Sequence, residues 1–375
     1  MKRIAAILLT ALMIMGLTAC NGKDNTEPEE QLPKVVFVAE GGLDGSSVNE
    51  KAYDGILKAQ EDLAITGELV ETQTGQASLD AVANAAQNGA RLVISTAFLS
   101  NKKMKKIAEQ YPQTFFALID YDEEIAPNVM SLSYQEQEGA FLAGVIAALH
   151  TNTKIIGFIG GEEGELTDGY EYGFRSGVKS IDPNIQVIKA FTGTYLDPAA
   201  GKKAAFELMG QGADILYEEI GKAGLGVLEA ATMKGIRVIG PNCLPSEEEM
   251  EENEENQDNA ENEDNAESEV TAENIEILKE TLLCSTYERY DSGAYLAVQM
   301  MMEGDFAGGA LKLGVDFEAV GYSDKEDHLS KELKAQVRSY IKAIAAGEIY
   351  VPQNEEEFQG FVVPAGGFFP QTEED

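Results

Sequence analysis

From Lys34 onward, short apolar runs alternate with stretches in which apolar residues recur every three or four positions. The runs are VVFVA at 35–39, RLVIS at 91–95 and FFALID at 115–120, and the amphipathic stretches predict helices over 48–63 and 100–110. Nearly unbroken apolar strands are buried on both faces, which implies parallel strands covered by helices. The pattern restarts at KIIGFIG (154–160) and continues as helix 166–181, strand 185–191, helix 198–210, ADILY at 213–217, helix 225–234 and IRVIG at 236–240. Two such series predict an α/β chain of two doubly wound parallel-sheet lobes. The last third, with strands near 279–285 and 311–321 and helices over 288–303 and 329–346, is too short for a third domain. It is expected to cross back and complete the lobes. The predicted organisation is lobe 1 over 33–133, completed by about 305–365, lobe 2 over 134–284, and a return segment with a C-terminal tail over 285–375.

Two segments break this pattern. Between VIGPN and the predicted strand ILKETLLCS, residues 246–274 hold fourteen Asp or Glu, no base and no aromatic. Such a run cannot bury apolar surface and repels itself, so it reads as a disordered surface insertion. Carboxylates also suit hard cations, but the run lacks the glycine and ligand spacing of a Ca²⁺ loop. At the other end, Lys2 and Arg3 precede an apolar run from Ile4 to Leu17, followed by Leu17-Thr18-Ala19-Cys20. This is the layout of a secretory signal, too short for a spanning helix. The ending resembles the lipobox of bacterial lipoproteins, which implies cleavage of residues 1–19, acylation of the Cys20 thiol and a lipid-anchored chain on the extracytoplasmic face. The polar stretch 21–32 then reads as a tether.

Charge narrows the function. The chain has 65 acidic against 28 basic residues in 375, a formal net charge of -37. A nucleic-acid partner would require a basic face, so that class is excluded. Nothing in the sequence points to catalysis, a cofactor or a resident metal. His150 and His328 lie in no metal-ligand pattern, Gly221-Lys222 lacks phosphate-loop spacing, and Gly224-Leu225-Gly226 is a fragment of a dinucleotide fingerprint. Cys243 and Cys284 flank the insertion at the ends of two predicted strands, where a disulfide is geometrically allowed.

Several segments, in order, resemble the basic membrane protein family of solute-binding lipoproteins. They include Leu43 through Asn49 with Tyr53-Asp54-Gly55, Phe115 through Asp120, Gln135 through Gly144, Ile156 through Gly161, Tyr172 through Lys179, Thr194 through Pro198, and Gly224 through Val227. The resemblance implies a type I periplasmic-binding-protein fold whose two lobes are joined by a hinge. It also implies a nucleoside-like ligand, with purine nucleosides as the model, and ABC permease subunits as partners.

Family contacts carry over where residues match. Tyr195 takes the place of an aromatic that stacks on the base, Asp120 that of a base-contacting carboxylate, Asn49 that of a matching Asn, and Gly221 a point where backbone approaches the ribose. Each has a structural alternative: lobe packing for Tyr195, a turn cap for Asp120, helix N-terminal structure for Asn49 and loop shape for Gly221. Four positions depart from the family: Val48 replaces the first-lobe aromatic, Glu40 stands near an Asp, Asn242 replaces an Asp and Glu288 replaces a Lys. The last swap reverses a charge, for which Arg289, one position on, is the candidate to compensate. The expected function is an importer's solute receptor; the competing expectation is a surface sensor or interaction lipoprotein that kept the fold and changed or lost the ligand.

Overall fold

The computed structural model describes residues 32–43, 48–96, 99–241 and 272–363. The signal, Cys20 and most of the acidic insertion lie outside these, as do Asn242 and Cys243, and with Cys243 the disulfide expectation. From Pro33 onward the described residues form one compact unit.

The first series folds as β1 (Lys34–Glu40), α1 (Val48–Asp62), β2 (Thr66–Thr72), α2 (Gly75–Gln87), β3 (Leu92–Ser95), α3 (Asn101–Gln110), β4 (Phe115–Ile119) and β5 (Val129–Tyr134). The second runs α4 (Glu136–His150), β6 (Ile155–Gly160), α5 (Glu165–Ile181), β7 (Gln186–Phe191), α6 (Pro198–Gly210), β8 (Ile215–Glu219), α7 (Gly224–Lys234) and β9 (Arg237–Pro241). Then come α8 (Ala272–Thr281), β10 (Leu282–Glu288), α9 (Tyr290–Glu303), β11 (Gly309–Leu313), β12 (Val320–Ser323), α10 (Lys331–Ala345) and α11 (Glu355–Gly360).

The strands make two six-stranded sheets, β11-β5-β4-β3-β1-β2 and β12-β10-β9-β8-β6-β7, parallel except for antiparallel β12. In each lobe the chain goes from the first strand to one neighbour and then returns to the other side, so β1/β3 and β6/β8 are switch points. Ligands of open α/β sheets bind outside the carboxyl ends of strands at such points. Central strands bury both faces, as their composition requires: Val35 through Ala39 and Phe116 through Ile119 are at most 1% exposed. Edge strands β2 and β7 are partly exposed along much of their length, which is why β2, with its polar TGELVET, is faint in the sequence.

Helix α4 is apolar around its whole circumference, and Gln137 through Ala148 are all buried. A helix of that kind belongs inside the protein; it packs against α5, α10 and strands β8, β9, β10 and β12.

Two readings are corrected in the final third. ILKETLLCS is not one strand: the chain is helical through Thr281 and extended only from Leu282, and the helix also takes in 272–274 of the insertion. Residues 311–321 are not one strand either. They span the end of β11 in the first sheet, a 3₁₀ turn at Val315–Phe317, and the start of β12 in the second. Apolar periodicity is blind to which sheet a strand joins. Of the segment assigned to lobe 1, β11 lies there, whereas β12 joins the other sheet and α11 packs on α5.

The chain passes between the lobes after β5, after β10 and after β11, and these segments are tied together. Gln135 N–H donates to Leu313 O (2.9 Å), Arg289 N–H to Ala319 O (2.7 Å), and Val315 N–H to the Glu138 carboxylate (2.8 Å).

Candidate functional site

The carboxyl ends of both sheets carry the sequence-predicted residues. In lobe 1, Asn49 sits at the start of α1, over the end of β1. Its amide donates to Glu40 O (2.9 Å) and Gly42 O (2.8 Å), and its carbonyl oxygen accepts from Thr96 Oγ1. Asn49 therefore knits the loops after β1 and β3 together. Asn49→Ala removes all three bonds, and we expect a loss of about 2 kcal/mol, read as a lower urea midpoint. Glu40 accepts from Ser78 Oγ at 2.8 Å, and Val48 packs against the hydrophobic core.

Asp120 follows β4 with φ 65°, in the left-handed region. A non-glycine residue seldom holds that geometry unless its surroundings impose it, and such residues gather at functional sites. Its carboxylate meets solvent, while the protein around it raises its pKa by desolvation.

In lobe 2, Tyr195 lies in the loop between β7 and α6, which Asp197 opens by capping Ala199 N–H at 2.9 Å with Pro198 at the first helical position. The ring rests on the backbone of Gly161, where a Cβ would fall 2.2 Å from Tyr195 Cζ. One ring face is thus backed by peptide while the side chain stays 37% exposed. Gly221 follows β8 with φ 56°, and a Cβ there would lie 3.2 Å from Tyr195 O. Gly161, Tyr195 and Gly221 make one shelf.

Glu288 ends β10 and accepts from Tyr170 Oη at 3.0 Å. Its carboxyl is pushed up first by burial and further by Asp120, against the Tyr170 hydrogen bond and Lys51. Arg289 does not supply the compensating charge, because it is paired with Asp291 at 2.7 Å; the cation acting on Glu288 is Lys51 of α1.

Three further groups were missed in sequence. Glu219, at the end of β8, accepts from Tyr217 Oη (2.7 Å) and Thr286 Oγ1 (2.9 Å), and burial, then Glu288, raise it well above the carboxylate range. Glu136 opens α4, and burial first, with Glu288 and Asp120 adding to it, pushes it up to about 7. Tyr134, at the end of β5, is edge-on to Tyr290, 4.6 Å between ring centroids. In a chain with 65 acidic residues, only the fold singles out these carboxylates.

Away from the strand ends, a cavity of about 340 Å³ lies at the C-terminal segment, walled by Ile349, Tyr350, Pro352 and Phe361 among others. No predicted site residue lines it. Among the described residues, no group of three His, Cys, Asp or Glu is placed to hold a metal ion, and no helix is long and apolar enough to cross a membrane.

Two doubly wound lobes joined by three crossing segments, with polar and aromatic groups at facing strand ends, define a solute-binding protein of the type I periplasmic-binding-protein fold. The PnrA-like ABC transporter substrate-binding proteins match residues 32–355, and the chain belongs to that family. Basic membrane protein A1 of Borrelia garinii subsp. bavariensis is 28% identical over 370 residues, covering 96% of this chain and 99% of that protein. The CD4+ T-cell-stimulating antigen of Listeria innocua serovar 6a is 26% identical over 380 residues, covering 94% and 99%. Among solved structures, an ABC transporter system solute-binding protein from Aeropyrum pernix K1 aligns with TM-score 0.61 and 22% identity over 88% of this chain and 96% of that one. A transcriptional activator of the comK gene from Bacillus halodurans aligns with TM-score 0.67 and 19% identity over 84% and 99%. At these identities the structural likeness shows the fold.

Proposed function

We propose that this substrate-binding protein is lipid-anchored through Cys20 on the extracytoplasmic face and delivers a nucleoside-like solute from the interlobe cleft to ABC permease subunits. The observation that carries the reading is the shelf at Tyr195: an aromatic ring backed by the Gly161 peptide, with the strained Asp120 at the end of a strand of the other lobe. A heterocycle stacked on the phenol would have its ring N–H groups met by that carboxylate. Asn49 and Gly221 shape the cleft loops, and Glu40 and Val48 stand behind them. Asn242, which follows β9, and Glu288 are assigned to the sugar side.

Thermal denaturation of the purified chain against nucleosides, free bases and pentoses tests this. A nucleoside at about a hundred times its dissociation constant adds roughly 2.7 kcal/mol to stability. Tyr195→Ala should weaken that nucleoside about tenfold to a hundredfold, the usual worth of one base-aromatic stack. A nucleoside shift that Tyr195→Ala leaves untouched would remove the stacking role. The second reading, a sensor or interaction lipoprotein without the inherited ligand, draws on Val48, which packs into the core and offers no ring to complete a sandwich. Silence across the whole panel would favour it.

A further inference from the structure

Glu218, on β8, shares the sheet face of Leu216 and Ile220, which pack with α7. Its side chain is 0% exposed. Oε2 accepts from Ile220 N–H at 3.1 Å, and Oε1 has no hydrogen-bond partner. Oε1 lies between two glycines, since a Cβ on Gly224 or on Gly240 would fall 2.6 Å from it. Gly224, read in sequence as part of a dinucleotide fragment, is therefore required by this carboxyl. A wholly buried acid with an unpaired oxygen costs stability, and an apolar side chain of the same size would fill the space without that cost.

The carboxyl instead anchors a chain of contacts to the shelf. It holds Ile220 N–H, and the Ala223 N–H is shared between Ile220 O at 3.2 Å and Tyr195 O at 3.1 Å. Between them Gly221 turns with φ 56° against the same Tyr195 carbonyl. The backbone of Tyr195 is thus held by the turn that Glu218 closes. Burial pushes the carboxyl up to about 8, against the Ile220 bond. The neighbouring elements offer it no countercharge: β6 presents Ile159, β9 Gly240 and α7 Gly224. Glu229 and Lys234 of α7 are engaged with Lys202 and Phe206 of α6, Arg237 of β9 donates to Glu280 O, and Lys222 of the turn is exposed. The titratable groups that feel its charge are Tyr217 and Glu219 of its own strand. An ionised Glu218 has to leave this seat to reach water, and leaving breaks the Ile220 bond.

We propose that Glu218 is a positioning residue for the solute site: as a neutral acid it holds the turn from Ile220 to Ala223 and, through it, Tyr195, and on ionisation it lets both go. The proposal rests on the reading of Tyr195 as the stacking residue. With the turn closed on bound solute, the carboxyl keeps its proton more firmly than in the free protein. Binding therefore takes up a proton, and affinity is lost as pH rises.

The test compares the purified protein with Glu218→Gln, which keeps the Ile220 bond and cannot ionise, and Glu218→Met, which fills the space and cannot hold that bond. At pH 7, amide exchange read by mass spectrometry should rise about tenfold over 192–197 and 219–224 in the Met variant and stay at the natural level in the Gln variant, the worth of one hydrogen bond. With adenosine as the probe, calorimetry should show binding about tenfold weaker for Met and restored for Gln. From pH 7 to pH 9 the natural chain should lose about tenfold in affinity while the Gln variant holds steady. That pH comparison, made in exchange as well as affinity, decides the matter if the Met variant does not fold. Unchanged exchange over 192–197 in the Met variant, or parallel pH profiles for the natural chain and the Gln variant, overturns the positioning role and leaves the nucleoside reading standing. Localised exchange in the Met variant with no heat from adenosine in the natural chain supports the positioning role and counts against the nucleoside reading.

Discussion

Replacing Gly177 with valine is expected to destabilise the protein by about 4 kcal/mol or more, the largest effect we foresee for a single side chain. Helices α4 and α5 cross with their backbones in contact. A Cβ on Gly177 would sit 2.0 Å from Phe141 O and 3.0 Å from Val145 N, and one on Gly144 would sit 2.1 Å from Phe174 O. Gly173 makes the same approach to Gln137 O at 2.3 Å. The opposing atoms are backbone on both sides, so no rotamer change relieves the clash. The helices must separate by about 1 Å or more, but α4 is already buried against α10 and the second sheet. Interiors at crystal-like density do not absorb such a shift. Urea unfolding followed by far-ultraviolet circular dichroism checks this, since the chain has no tryptophan. Gly210→Ala is the control: it lies at the end of α6 with nothing within 4 Å of its Cβ position, and a gain of about 0.5 kcal/mol is expected from helix propensity. A near-neutral Gly177→Val would mean that the two helices do not touch in solution.

The second large effect concerns pH. Stability is expected to fall as pH rises from about 4.5, the unfolded carboxyl value, through the folded-state values of three glutamates. Glu136 and Glu138 are pushed up to about 7 and Glu218 to about 8, in each case first by burial. Between the unfolded and folded pKa values the native state holds more protons than the unfolded chain, so raising pH favours unfolding until the folded value is passed. The contribution is fully present below about pH 4.5 and lost above about pH 8. A shift of this kind is worth on the order of 3 kcal/mol per group, and the groups are not additive. Glu218 is the cleanest probe. It is 0% exposed, with one oxygen accepting from Ile220 N–H at 3.1 Å and the other unpartnered. Glu218→Gln should gain about 2 kcal/mol at pH 8.5 and nothing at pH 5, so the two stability profiles converge on the acid side. Parallel profiles for the variant and the natural chain would show that Glu218 is already ionised, and stably so, in the fold.

Local patterning made much of the architecture legible. The runs at 35–39, 91–95, 115–120 and 154–160 are strands because a continuous apolar segment of that length, flanked by amphipathic stretches, is stable only between two helical layers. The unpatterned pieces were the failures. Edge strand β2 has a half-polar sequence because half of it meets water. ILKETLLCS has helical spacing in its first half and strand-like composition in its second, and the division between them at Thr281 is set by α8 packing on α7. The candidate site residues divide the same way. Tyr195, Asp120, Asn49, Gly221 and Glu288 were named through the family resemblance; Glu288 ends a strand, Tyr195, Asp120 and Gly221 follow one, and Asn49 lies in the first turn of α1. Glu136, Glu219, Tyr134 and Lys51 carry no local signal, since acidic and basic side chains are common throughout the chain.

By itself the sequence determined the class of fold and the two-lobed division, which rest on periodicity and order along the chain, and pointed to the family through the segments that resemble it. The tertiary structure alone decided that β11 and β12 part to different sheets, that Asn49 ties the β1 and β3 loops together, and that Lys51 rather than Arg289 acts on Glu288. It also decided which of the 65 acidic residues are held by hydrogen bonds at the ends of β8 and β10. Burial and the distance between charges set a carboxylate's behaviour, and both arise only when segments far apart in sequence meet.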